Sequence, residues 1–145
     1  DEWGKQFGRY YRPVETYKTK GADTLILTMG SMGETASLAV DALRKKGVPV
    51  GLVKLRLWRP FPVEELRAAV KGAKTLIVMD RAISFGGPVA TEIKSHLYHD
   101  GKRPRVVDFI MGLGGRDVSV DDFIAMVERA QKKKDEGYEY YGVRE

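Results

Sequence analysis

The 145-residue chain is 43 % hydrophobic, enough for one domain with a proper core, so a single domain is the expectation. Its 25 Lys and Arg against 20 Asp and Glu leave a net charge of +5 and a pI near 9.4, which favours acidic partners but falls short of a nucleic-acid arm. Without cysteine the chain can build no disulfide, thiolate nucleophile, Cys-ligated zinc site or iron–sulfur cluster.

Residues 1–20 form a basic, aromatic arm carrying Trp3, Phe7, Tyr10, Tyr11 and Tyr17, within which 14–19 offers an edge strand. The arm begins at Asp1 with no initiator Met and no charged-then-apolar leader, so the chain is expected to be a piece of a longer polypeptide. An α/β domain is expected over 21–134, built from four strand-loop-helix units. "TLILTM" at 24–29 is a β-rich apolar run, followed by a helix with Ala36, Ala39, Val40 and Leu43 on one face and Gly47 placed to cap it. "VPVGLVKLRLW" predicts the next strand, and "RPFPVEELRAAV" a turn into a helix with Pro62 near its start. "KTLIVMD" leads through "RAISFGG" to a helix whose stripe is Val89, Ile93 and Leu97. "RVVDFIM" leads through "GLGGRDVS" to a helix with Val120, Phe123, Ile124, Val127 and Ala130 at helical spacing. Residues 135–145 remain as a tail with Tyr138, Tyr140 and Tyr141. No apolar run reaches the roughly 18 residues of a membrane span, and a cytoplasmic setting without membrane contact is the expectation.

Four such units in series predict a three-layer α/β/α architecture, because right-handed crossovers are nearly obligatory. The sheet is expected to be mostly parallel, with five strands including one antiparallel edge strand. Ligands of such sheets gather beyond the strand C-termini, which makes the loops at Ser31, Met32 and Ser84 the weak candidates for cofactor contact. Against this, Glu34 in the first helical turn already satisfies the dipole that would hold a phosphate. "FIMGLGGRDVSVDD" at 109–122 fails as a dinucleotide fingerprint, since Asp117 stands where the third glycine belongs. It reads instead as a tight glycine turn with a Ser119–Asp122 capping box. Capping does not use Arg116 and Asp117, which are expected to form an ion pair fixing the loop or a contact to a neighbouring domain.

Other chemistries find little support. Glu92, His96 and His99 share a helix face but lack a fourth ligand in a recognisable motif, so no metal site is expected. No nucleophile elbow or nearby histidine accompanies Ser31 or Ser84. Glu64–Glu65 and Asp121–Asp122 sit in first helical turns, where dipole compensation explains them. The aromatic arm has no accompanying nucleic-acid motif and is expected to wrap on its own domain or on a protein partner.

Taken together, "TMGSMGETASLAVDALRKKGVPVGLVKLRLWRPFPVEEL", "VMDRAISFGG", "FIMGLGGRDVS" and the closing "YYGVRE" resemble the C-terminal part of the alpha subunit of 2-oxoacid:ferredoxin oxidoreductases, in particular the pyruvate-using branch. The resemblance runs over residues 8–144 and implies a fold similar to the C-terminal domain of transketolase. It also implies a complete enzyme that converts pyruvate, CoA and oxidised ferredoxin to acetyl-CoA, CO2 and reduced ferredoxin. Thiamine diphosphate, Mg2+ and iron–sulfur clusters would be held by the rest of the alpha subunit and by beta-, gamma- and delta-type subunits or fused domains. The G-D-G…N diphosphate motif is absent and no catalytic residue of the family carries over, so this segment is expected to bind no cofactor and to be inactive alone. Its expected role is docking, with Arg56, Arg59, Arg81, Arg116 and Asp117 organising the loop edge. "SFGGPVATE" is shorter than the loop the resemblance implies, which leaves a branched-chain 2-oxoacid as the alternative substrate. A stand-alone nucleotide- or CoA-binding module is the second alternative.

Overall fold

A computed structural model describes residues 1–143; Arg144 and Glu145, the end of the "YYGVRE" motif, lie outside the described residues. The chain order is α1 (Glu2–Phe7), β1 (Val14–Tyr17), β2 (Thr24–Met29), α2 (Met32–Lys45), β3 (Val50–Leu55), α3 (Val63–Val70), β4 (Thr75–Asp80), α4 (Pro88–Leu97), β5 (Arg105–Met111), α5 (Val120–Lys132) and β6 (Tyr138–Tyr141). A single 3-10 turn, Leu113–Gly115, lies between β5 and α5. The described strands form one sheet of order β1-β3-β2-β4-β5-β6, in which only β1 runs antiparallel.

The sheet is covered on both faces, which explains why its central strands read as unbroken apolar runs. Ile26, Leu52, Ile77, Val107 and Phe109 point to one face, where Ala36, Val40, Phe123 and Val127 of α2 and α5 cover them. Leu25, Leu27, Val53, Leu76 and Val78 point to the other, under Leu66 and Val70 of α3 and Val89, Ile93 and Leu97 of α4. Gly47, at φ 80°, ends α2 as its position predicts, and Ser119 and Asp122 form the expected reciprocal box at the start of α5. Among the described residues no helix is long and apolar enough to cross a membrane.

Two features of the sheet depart from expectation. Six strands form rather than five, because Tyr138–Tyr141 of the expected tail pairs in parallel with β5, from Asp108↔Tyr138 to Met111↔Tyr141. The connection to this strand also breaks the handedness rule. β2 to β3 and β5 to β6 step in opposite directions across the sheet, yet α2 and α5 lie on the same face, so these two crossovers have opposite hands. The crossovers through α3 and α4 share the hand of the first. The apolar stripe of α5 packs against α2 as well as the sheet, and that burial outweighs the topological preference for a four-residue edge strand.

The consequence for function is geometric. Strands β2 to β5 are parallel, so the loops at 30–31, 56–62, 81–87 and 112–119 all emerge at one sheet edge. The aromatic arm arrives there too: Val14 lies opposite Leu55, and the Pro13 carbonyl accepts from the amides of Arg56 and Leu57 at 2.8 and 3.2 Å.

Candidate functional site: the C-terminal edge of the sheet

On the β1–β3 side, a chain of charges lines the edge. Lys54 contacts Glu34 at 2.7 Å and Glu15 at 3.5 Å, and Glu15 contacts Arg56 at 3.3 Å. The Arg56 guanidinium also lies 5.6 Å from the Tyr11 ring centroid. The hydrogen bond from Lys54 holds the Glu34 carboxyl below the usual carboxylate range. Arg56 separates two open clefts, one of about 360 Å3 against Tyr11, Arg12 and Leu57, the other of about 370 Å3 against Met29, Gly30, Glu34 and Lys54. Of the residues weighed for cofactor contact here, Ser31 is exposed and makes no side-chain cap, and Met32 is buried in the core. With Glu34 and Lys54 already paired, this helix start carries its own counter-charge rather than a vacant anion site.

The middle of the edge holds residues that sequence reasoning missed. Asp80 and Asp108 end up on the same face of adjacent strands, 3 % and 2 % exposed. The amides of Val89 and Ala90 donate to Asp80 Oδ1 and Oδ2 at 3.2 and 3.1 Å, and the Gly87 amide donates to Asp108 Oδ2 at 2.7 Å. Among the described residues Asp108 Oδ1 has no hydrogen-bond partner. Burial pushes Asp80 up to about 6, with the Asp108 charge adding to the rise and the two amides opposing it. Burial likewise raises Asp108, opposed by the Gly87 amide and by Lys94. A Cβ at Gly87 would lie 2.2 Å from Asp80 Oδ2 and 2.5 Å from Asp108 Oδ1, so only glycine fits between the two acids. The one available signal was an aspartate inside each apolar run, "IVMD" and "VVDF", where a solvated acid does not belong. From this base the turn at 81–87 carries Ser84, exposed, with Ile83 and Phe85 directed outward.

Toward β5 and β6, Arg81 Nη2 donates to the Gly112 carbonyl at 3.3 Å, tying two loops together. Gly112 at φ 65°, Gly114 at φ 67° and Gly115 at φ 79° make the tight turn expected of "GLGG". The expected ion pair is not there: among the described residues Arg116 and Asp117 form no salt bridge, with each other or with a third group. Adjacent charges on an extended backbone point to opposite sides, which separates them. Arg59 is drawn away from the other arginines, to Glu92 at 2.8 Å, where Trp58 Nε1 also donates. His96 lies 3.7 Å from Glu92 and stacks on Phe61 at 4.7 Å, while His99 packs edge-on to Tyr98. Glu92 thus anchors the β3–α3 loop to α4, and among the described residues no three His, Asp or Glu side chains converge on a metal-sized site.

Seen as a whole, the edge combines exposed apolar side chains (Tyr11, Met29, Leu57, Ile83, Phe85) with arginines 12, 56, 81 and 116. That composition suits burial against protein: apolar contact supplies affinity, and arginine supplies oriented, charge-assisted bonds.

Comparison with known proteins agrees with the architecture. The family described as "Pyruvate:ferredoxin oxidoreductase core domain II" matches residues 22–123. Pyruvate synthase subunit PorA of Pyrococcus furiosus is 42 % identical over 138 residues, covering 94 % of this chain and 35 % of that protein. Ketoisovalerate oxidoreductase subunit VorA of Pyrococcus horikoshii is 45 % identical over 139 residues, covering 94 % and 35 %. The chain therefore spans about a third of the length of these curated relatives. Among solved structures, the 2-oxoglutarate:ferredoxin oxidoreductase of Magnetococcus marinus with 2-oxoglutarate, coenzyme A and succinyl-CoA bound superposes with a TM-score of 0.63. Its identity is 21 %, over 89 % of this chain and 21 % of that one. A split-gene transketolase, an inactive beta4 tetramer, superposes with a TM-score of 0.62 at 17 % identity, over 84 % and 43 %. The fold is that of these transketolase-like domains.

Proposed function

The chain belongs to the pyruvate:ferredoxin oxidoreductase core domain II family, and from that premise we propose that it is a non-catalytic docking domain in the alpha subunit of a 2-oxoacid:ferredoxin oxidoreductase. The whole enzyme would join pyruvate and CoA to give acetyl-CoA and CO2, passing the electrons to ferredoxin. The observation that carries the docking role is the sheet edge, where exposed apolar and arginine side chains stand on loops held rigid from below. Its partners would be the remainder of the alpha subunit and the beta-, gamma- and delta-type subunits or fused domains, in a cytoplasmic complex.

The residues present do not fit the reaction's cofactors. Cluster ligation needs cysteine, which the chain lacks, and the best-placed helix start for a diphosphate is closed by the Glu34–Lys54 pair. Thiamine diphosphate, Mg2+ and clusters are accordingly assigned to other parts of the complex. A branched-chain 2-oxoacid is the second reading of the substrate, carried by a ketoisovalerate oxidoreductase subunit at 45 % identity but not favoured over pyruvate, since pyruvate synthase subunits match at 42 and 43 %.

One preparation tests both claims. In the native complex, CoA-dependent reduction of a viologen dye across a panel of 2-oxoacids should be fastest with pyruvate; dominance of 2-oxoisovalerate would transfer the assignment to the branched-chain substrate. The double variant Arg81→Glu with Arg116→Glu should lose subunits on native mass analysis or expose this domain to limited proteolysis, and a complex that stays intact and as protease-resistant as wild type would remove the docking role.

A further inference from the structure

The turn at 81–87 has two properties that the fold alone does not require. Phe85 is fully exposed and adopts φ 52°, a left-handed conformation that bulky residues rarely take. Ile83 beside it is 53 % exposed. The turn is nonetheless pinned. Ser84 donates its amide to the Gly86 carbonyl at 2.7 Å, Gly87 to buried Asp108, and Val89 and Ala90 to buried Asp80. Two neighbouring buried carboxylates are unfavourable by themselves, and the amides at the start of α4 compensate them only while the turn keeps this shape. At the other end of the turn Arg81 bonds the Gly112 carbonyl and forms no ion pair among the described residues.

We infer that Asp80 and Asp108 clamp Ile83 and Phe85 into a rigid apolar plug, which seats in an apolar, acid-rimmed pocket on the part of the same polypeptide outside these 145 residues. The inference rests on the docking role proposed above. An acidic rim matches Arg81, which stands at the base of the plug and forms no salt bridge among the described residues. The same polypeptide is the partner because this chain spans only 35 % of its relatives' length. A covalently tethered partner meets the plug at high effective concentration, so two side chains suffice where separate proteins need roughly 1,000 Å2 of interface. Preorganisation by the clamp removes the ordering cost that a flexible loop would add.

The test uses the native complex with Phe85 replaced by photoreactive p-benzoylphenylalanine. Cross-links should map to the same alpha polypeptide, outside these residues, at an apolar stretch flanked by Asp or Glu. In the same complex Phe85→Ser should speed hydrogen exchange at the amides of 83–86 about tenfold or more, since the variant loses the apolar burial that holds the turn in its seat. Asp108→Asn should lower the cross-link yield several-fold while amide protection in β4 stays. Cross-links to another subunit or a second copy, or none at all, would overturn the inference. If Phe85 fails while Arg81→Glu with Arg116→Glu still breaks assembly, the docking role stands and the plug does not; failure of both removes the docking role too.

Discussion

Gly87 is the residue on which the edge turns, because two buried carboxylates flank its α-carbon. Gly87→Ala would force the acids apart or shift the backbone, and should lower stability by about 2–4 kcal/mol in equilibrium urea unfolding. A loss under about 0.5 kcal/mol would mean that Asp80 and Asp108 can swing aside freely. Asp80 gives the domain a pH signature of its own. Its folded-state pKa of about 6 lies above the ordinary aspartate value of 3.8, so the folded state holds the proton more tightly than the unfolded state does. Stability from this group therefore falls as pH rises from about 4 to 6, by on the order of 3 kcal/mol, and is level above that window. Carboxyls held low by partners, Glu34 by Lys54 and Glu136 by Arg103, act in the opposite sense at lower pH. Denaturation titrations of wild type and Asp80→Asn isolate the Asp80 share: the difference between the two curves should slope between pH 4 and 6 and flatten above. A flat difference would remove Asp80 as the titrating group.

The helices show how local chemistry and packing divide the work. α5 starts on a reciprocal box: Asp122 N–H donates to Ser119 Oγ at 3.2 Å and Ser119 N–H donates to Asp122 Oδ2 at 2.8 Å. Ser119→Ala should cost about 1 kcal/mol and leave the fold intact, measured by thermal and urea unfolding. This box was legible because cap and N3 lie three residues apart, and so were the apolar stripes of α2, α4 and α5 and the "GLGG" turn. The acid pair was not. Asp80 and Asp108 are separated by a helix and two loops, and nothing local tells that Gly87 will close over both. Arg116 and Asp117 illustrate the reverse error, in which sequence neighbours invited a pairing that the extended backbone at Arg116 does not make.

For the whole molecule, the division is between a core that stabilises and an edge that recognises. Tyr11 and Leu57 lie at the edge and contribute little burial to either face of the sheet. The double variant Tyr11→Ser with Leu57→Ser should therefore keep the chain's own unfolding free energy within about 1 kcal/mol of wild type. In the native complex the same variant should weaken assembly or slow CoA-dependent turnover. Equal losses in both measurements would show that these side chains serve the domain's stability instead.

Legible from residue order alone were the α/β class, the positions of β1 to β5 and of α2 to α5, the glycine turns and the family resemblance. These depend on periodicity and on contacts a few residues apart. Long-range packing settled that Tyr138–Tyr141 joins the sheet in parallel, that its crossover has the opposite hand, and that two aspartates are buried against one glycine. The physical reason is that hydrophobic periodicity says which side of an element is covered but not which element covers it. Edge pairing is made by backbone groups that every residue carries, and a buried acid is settled by donors brought from distant parts of the chain.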